Sequence, residues 1–167
     1  LTTANNSVGS NPGCYPQSAI DAANAVFNNS AATEDELTAA ATALSNALIL
    51  PVAGKYYTIT SAYAAYEKKQ GKTMSAYVDG TTLKWKATDL NDDSIYWQIY
   101  LQGDKYVFKN YATQTYISTY ASNQFSTGET PADNTGFTWF DGGICNVKVD
   151  GGNFHTNEHN SGSGTGG

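Results

Sequence analysis

The chain has 167 residues, room for one medium domain or a small domain with an appendage. Only 14 % of it is charged, against roughly 25 % in average globular chains; with 16 glycines and 12 tyrosines this is a folded, turn-rich β composition and excludes disorder, which needs high charge and few aromatics. The net charge is −6 and all nine basic residues are lysine, so without arginine's planar fork, and with an acidic surface that phosphates repel, nucleic acid is excluded as a partner.

No run approaches the roughly 18 apolar residues of a membrane span. Leu1 opens directly into polar sequence, so the chain reads as a mature or trimmed product without its targeting segment. Residues 1–50 are alanine-rich and read as helical. Pro16 suits a first helical turn, and after it Ile20, Ala23 and Phe27 form one apolar stripe. Asn28-Asn29-Ser30 breaks that helix. Thr33-Glu34-Asp35-Glu36 has the capping-box pattern, with three acids at the positive helix end. From there Leu37, Ala41, Leu44 and Leu48 predict a second stripe, closed by Pro51. The expectation is two antiparallel helices joined by a short loop.

From Gly54 the period changes. Tyr57 and Ile59, Leu83, Trp85 and Ala87, and Tyr106 and Phe108 alternate with polar residues, the period of half-buried strands. Asp79-Gly80, Gly103-Asp104, Asp141-Gly142-Gly143 and Asp150-Gly151-Gly152 punctuate them as turns. An internal repeat runs through the segment. Met74, Tyr116 and Phe154 each sit inside a small polar strand, and the aromatic closers Ile95-Tyr96-Trp97-Gln98 and Phe137-Thr138-Trp139-Phe140 place Trp97 and Trp139 42 positions apart. Three pseudo-equivalent units follow, each too small to bury a core alone; a third closer belongs near about position 180 at that period, so the last repeat reads as incomplete.

Tyr57-Thr58-Ile59, the repeated short strands and the Trp97-Gln98 and Trp139 closers resemble the β-trefoil of ricin-type domains, modules appended to secreted proteins of gut Bacteroidetes. Asn153-Phe154-His155-Thr156 with Gly162-Ser163-Gly164 looks like the third repeat of such a domain. Upstream, Gly13-Cys14-Tyr15-Pro16, Ala19-Ile20-Asp21-Ala22-Ala23 and Leu44-Ser45-Asn46-Ala47-Leu48 resemble a FIVAR-like helical module of surface proteins, with its first helix missing before Leu1. The resemblance implies a mainly β fold: residues 1–52 a helical, FIVAR-like hairpin and 53–167 a β-trefoil-like domain, on a secreted or cell-surface bacterial protein.

Several patterns touch on catalysis or metal binding. His155-Thr156-Asn157-Glu158-His159 matches H-x-x-E-H, but zinc peptidase chemistry needs a helix to aim both imidazoles, and glycines flank this segment. Asp89-Leu90-Asn91-Asp92-Asp93 resembles half of a calcium loop, with Ser94 where glycine belongs and Tyr100 where the bidentate glutamate belongs; it reads as a polar turn. No carboxylate pair, Ser-His-Asp set or phosphate loop is selected. Cys14 and Cys145 are either a disulfide of an oxidising compartment or two separate buried thiols, and match no zinc spacing.

The aromatic excess remains. Apolar faces of sugars pack on aromatic rings while amides and carboxylates fix their hydroxyls, and Tyr77 with Asp79, and Tyr116 with Tyr120 and Asn123, lie on or after repeat strands. The expected function is non-catalytic carbohydrate binding through these residues, without cofactor or metal, by a monomer or a part of a larger multidomain chain. A structural or adhesive spacer with protein partners is the alternative, and a hydrolase with an unrecognised site the third.

Overall fold

The computed structural model describes residues 1–60, 73–121 and 124–131, together with the backbone of the short strands Thr138–Trp139, Val147–Val149, Gly152–Asn153, His155–Thr156 and Thr165–Gly166. The chain divides into two compact units, Leu1–Pro51 with Trp139–Asn146, and Val52–Thr138 with Val147–Gly167. Among the described residues it is mainly β: a curled, seven-stranded antiparallel sheet, with three α-helices and one 3-10 helix.

In the first unit α1 is Thr2–Asn6, α2 Gln17–Phe27 and α3 Glu34–Asn46. The short α1 was not expected as a separate element; its Ala4 packs with Ile20, Ala23 and Leu44 in one small core. Pro16 stands one position outside α2, as its N-cap with extended backbone. The start of α3 is the expected capping box: the Glu36 N–H donates to Thr33 Oγ1 (3.3 Å), and the Thr33 N–H to Glu36 Oε2 (2.8 Å). Two details of the stripes differ. Phe27, the last residue of α2, is exposed, and so is Ala41. The covered side of α3 runs instead through Leu37, Ala40 and Leu44 to Ala47 at its C-cap. Pro51 does not close this helix. Ile49 has left it already, donating its N–H to Cys14 O (2.9 Å) and accepting from the Gly13 N–H (2.8 Å). Cys14 is fully buried and disulfide-bonded; Cys145, the chain's other cysteine, lies outside the described residues. Gly9 makes room for it, since a Cβ there would stand 2.9 Å from Cys14 Sγ.

The sheet of the second unit is built from β1 Tyr57–Thr58, β2 Met74–Asp79, β3 Thr82–Ala87, β4 Tyr96–Gln102, β5 Lys105–Asn110, β6 Tyr116–Ala121 and β7 Gln124–Gly128, in the order β1-β4-β5-β6-β7-β3-β2. Gly80 and Gly103 turn the β2–β3 and β4–β5 hairpins with φ of 63° and 62°, a left-handed backbone that glycine adopts without strain. The two ends of the order meet. Just past β1, Thr60 bridges Ser75 of β2, and the Ala76 N–H donates to Ile59 O at 2.9 Å. Inside lies an apolar core of Met74, Ala76, Val78, Leu83, Trp85, Trp97, Phe108, Ile117 and Phe125. Trp97, fully buried, donates its indole N–H to Ala76 O (3.1 Å), which satisfies the one polar atom its burial would strand.

Candidate functional site

Because Trp97 points into the core, its neighbours in β4 point out, side chains alternating along a strand. Trp97 stands in register with Tyr57 of β1 and Asn110 of β5; one step along, Gln98 faces Lys109, and Lys109 faces Tyr116 of β6. Gln98, Lys109 and Tyr116 therefore form one row across three strands on the outer side. Tyr56 precedes β1 at the end of this row, and Tyr111 follows β5. Their rings meet edge to face with centroids 4.8 Å apart. Tyr100 lies two residues along from Gln98 and donates its hydroxyl to Gln98 Oε1. Three of these rings are open to solvent: Tyr56 45 %, Tyr100 38 % and Tyr111 40 % exposed. The Lys109 ammonium sits 5.5 Å from the centroid of the Tyr116 ring, within reach of a cation–π attraction.

The loop between β5 and β6 holds Tyr111 and Tyr116 in place through Asn110, which is fully buried. Its Nδ2 donates to Ser94 O (2.8 Å) and Tyr96 O (3.4 Å), while Oδ1 accepts from the Thr113 N–H (3.1 Å) and hydroxyl (3.3 Å). Gln114 takes a left-handed φ of 59° to close this turn, its own N–H bonded to Asn110 O and its Nε2 to Tyr111 O (2.6 Å). A buried amide bonded through both its ends fixes a loop more firmly than apolar contact does, since displacing it strands several polar groups. Alternation along β6 then buries Ile117 while Tyr116 stays on the outer row, and the register shifts only beyond them, between Ile117 and Thr119. Burial foremost, and then the neighbouring Tyr116 and Tyr56 phenols, push the Tyr100 hydroxyl above its ordinary 10.0. At neutral pH that hydroxyl is a donor.

The residues singled out from sequence fall in two places. Tyr116 belongs to the row just described. Tyr77 and Asp79 share one side of β2, and both are engaged by lysines of β3: Lys86 lies over the Tyr77 ring at 4.3 Å, and Lys84 pairs with Asp79 at 2.5 Å. Lys86 also pairs with Asp92 and donates to Ser94 Oγ (2.5 Å). Tyr120 lies in β6 with its backbone in register with Phe125, and Asn123 is outside the described residues. Tyr56, Gln98, Tyr100, Lys109 and Tyr111 were not singled out. The signal for Gln98 and Tyr100 was present in the alternation about Trp97, whereas Tyr56, Lys109 and Tyr111 join them only through the register between strands.

The aspartate-rich segment is a turn leading into a 3-10 helix, Asp93–Ile95. Asp89 Oδ1 accepts from the Asn91 N–H (3.0 Å), and Asp92 Oδ1 from the Ser94 N–H (3.0 Å) and hydroxyl (2.7 Å). Among the described residues no three His, Cys, Asp or Glu side chains gather as metal ligands. The first two residues of the H-x-x-E-H pattern, His155–Thr156, form a strand paired with Thr165–Gly166, and Asn157-Glu158-His159 lie outside the described residues. No helix among the described residues is long and apolar enough to cross a membrane. No protein-family model matches the chain, and no curated protein and no solved structure matches it at a significant level.

Proposed function

We propose that the chain is a non-catalytic carbohydrate-binding module of a secreted or surface-attached bacterial protein, its β part a ricin-like trefoil and its helical part a FIVAR-like spacer. The observation that carries the reading is the outward row of tyrosines. Four rings, Tyr56, Tyr100, Tyr111 and Tyr116, stand with the Gln98 amide and the Lys109 ammonium on one side of a rigid sheet. Tyrosine rings offer flat apolar area to the C–H face of a sugar, and their hydroxyls with an amide offer hydrogen bonds to its hydroxyls. Rings fixed by strands and by the Asn110 loop lose little freedom on binding.

The trefoil reading draws support from repetition. In the first repeat β1 pairs with β4 around the β2–β3 hairpin. After β5, a second hairpin, β6–β7, is followed by the strand Thr138–Trp139, whose tryptophan is 42 positions from Trp97. The disulfide at Cys14 supports an oxidising, extracytoplasmic location.

The test is binding of the purified chain to a broad glycan array, followed by titration of the strongest ligand. Tyr116→Ala and Tyr56→Ala are each expected to weaken binding by about tenfold or more, with the thermal midpoint little changed. Tyr77→Ala, removing a ring already covered by Lys86, is expected to do much less. A silent array with the chain shown folded would overturn the reading and leave the structural spacer in its place.

A further inference from the structure

Resting on that reading, we infer that the glycan is an acidic one, whose carboxylate or sulfate is seated by Lys109. The chain as a whole carries a charge of −6, yet the outer row carries none of it. Its tyrosines and Gln98 are neutral, the Tyr100 hydroxyl all the more firmly so for being held above its ordinary range, and its one charged member is a cation. Lys109 differs from the lysines of β3. Lys84 is neutralised by Asp79 and Lys86 by Asp92, whereas no carboxylate among the described residues pairs with Lys109. The acid next in register, Glu129, follows the Gly128 that faces Tyr116, and the ion pairs among the described residues do not join it to Lys109.

The Lys109 ammonium instead rests over the ring of Tyr116, a half-buried contact at the long end of cation–π range that a stronger partner can draw away. A sugar stacked on this row brings its ring substituents to the height of that ammonium. A neutral hydroxyl there exchanges one hydrogen bond to water for another. An anionic substituent gains a charge-assisted bond, roughly twice as strong as a neutral one. The acidity of the rest of the molecule does not cancel this, because charges more than about 8 Å away are screened at physiological salt. An ammonium is a compact point charge rather than a planar fork, so it accepts a carboxylate or a sulfate alike.

The experiment compares three forms of one oligosaccharide: neutral, ending in a hexuronic acid, and bearing a sulfate ester. Each is titrated against the wild-type chain, Lys109→Gln and Lys109→Arg, at low and at high salt. For at least one charged form the wild type is expected to bind about tenfold more tightly than the neutral form at low salt. That preference should shrink at high salt, vanish in Lys109→Gln and persist in Lys109→Arg; the form that shows it identifies the anion. Equal binding of all three forms, or a preference that survives Lys109→Gln, would overturn this inference and leave the tyrosine row as a site for neutral sugars. Failure of all three to bind a folded wild-type chain, beside a silent array, would overturn both.

Discussion

Lys86 is held from three directions, by the Asp92 carboxylate, the Ser94 hydroxyl and the Tyr77 ring. The effect is largest on the acid. The Lys86 ammonium first, then the Ser94 hydroxyl and N–H, bring the Asp92 carboxyl down from 3.8 to about 2. A carboxyl whose folded value is depressed stabilises the fold fully above its unfolded value, and that stability disappears as pH falls through the folded one. For Asp92 the window runs from just above 3.8 down to about 2. Its side chain is a third exposed, so solvent screening leaves about 1 kcal/mol of the full linkage. Asp92→Asn is accordingly expected to lower stability by about 1 kcal/mol at pH 7. It should also flatten the acid limb of stability between pH 4 and 2, as read by urea denaturation at a series of pH values. An unchanged acid limb would show that the pair contributes nothing.

The best-defined single element is the start of α3. Its box is written in four consecutive residues, and Thr33→Ala is expected to cost about 1 kcal/mol through the loss of one capped N–H. A fall in the thermal midpoint and faster amide exchange in the first turn of α3 would register it; wild-type exchange there would count against the cap. This feature was legible in the sequence because all its partners lie within three residues. The strand alternation about Trp85 and Phe108 was legible for the same reason, since it needs only the period of two. The end of α3 was not. Pro51 is the local stop signal, but the chain leaves the helix earlier because Ile49 bonds to Gly13 and Cys14, some 35 residues upstream. Likewise Tyr116 was found as an aromatic on a repeat strand, while Tyr56, Lys109 and Tyr111 were missed. What gathers them is the pairing of β1 with β4, of β4 with β5 and of β5 with β6, and no short window of sequence carries that pairing.

At the scale of the whole molecule, repetition in the sequence suggested repeated strand units, and the sheet order sets β1 and β2 at opposite ends of one curled surface. Among the described residues those ends meet through few bonds: the Thr60–Ser75 bridge and the Ala76 N–H on Ile59 O. The β4–β5 hairpin, by contrast, is registered over six residue pairs. A seam of so few bonds opens more readily than that hairpin does. The Ala76 amide is therefore expected to exchange with deuterium faster than the paired amides of β4 and β5, and equal protection would show the closure to be as strong as the hairpin. Opening there bares two strand edges at once, and each is the natural complement of the other. In dilute solution they find each other again within the same chain. In a crowded one, the first edge of one molecule can take the second edge of the next, a head-to-tail contact that nothing obliges to close into a ring and that can extend into a fibre.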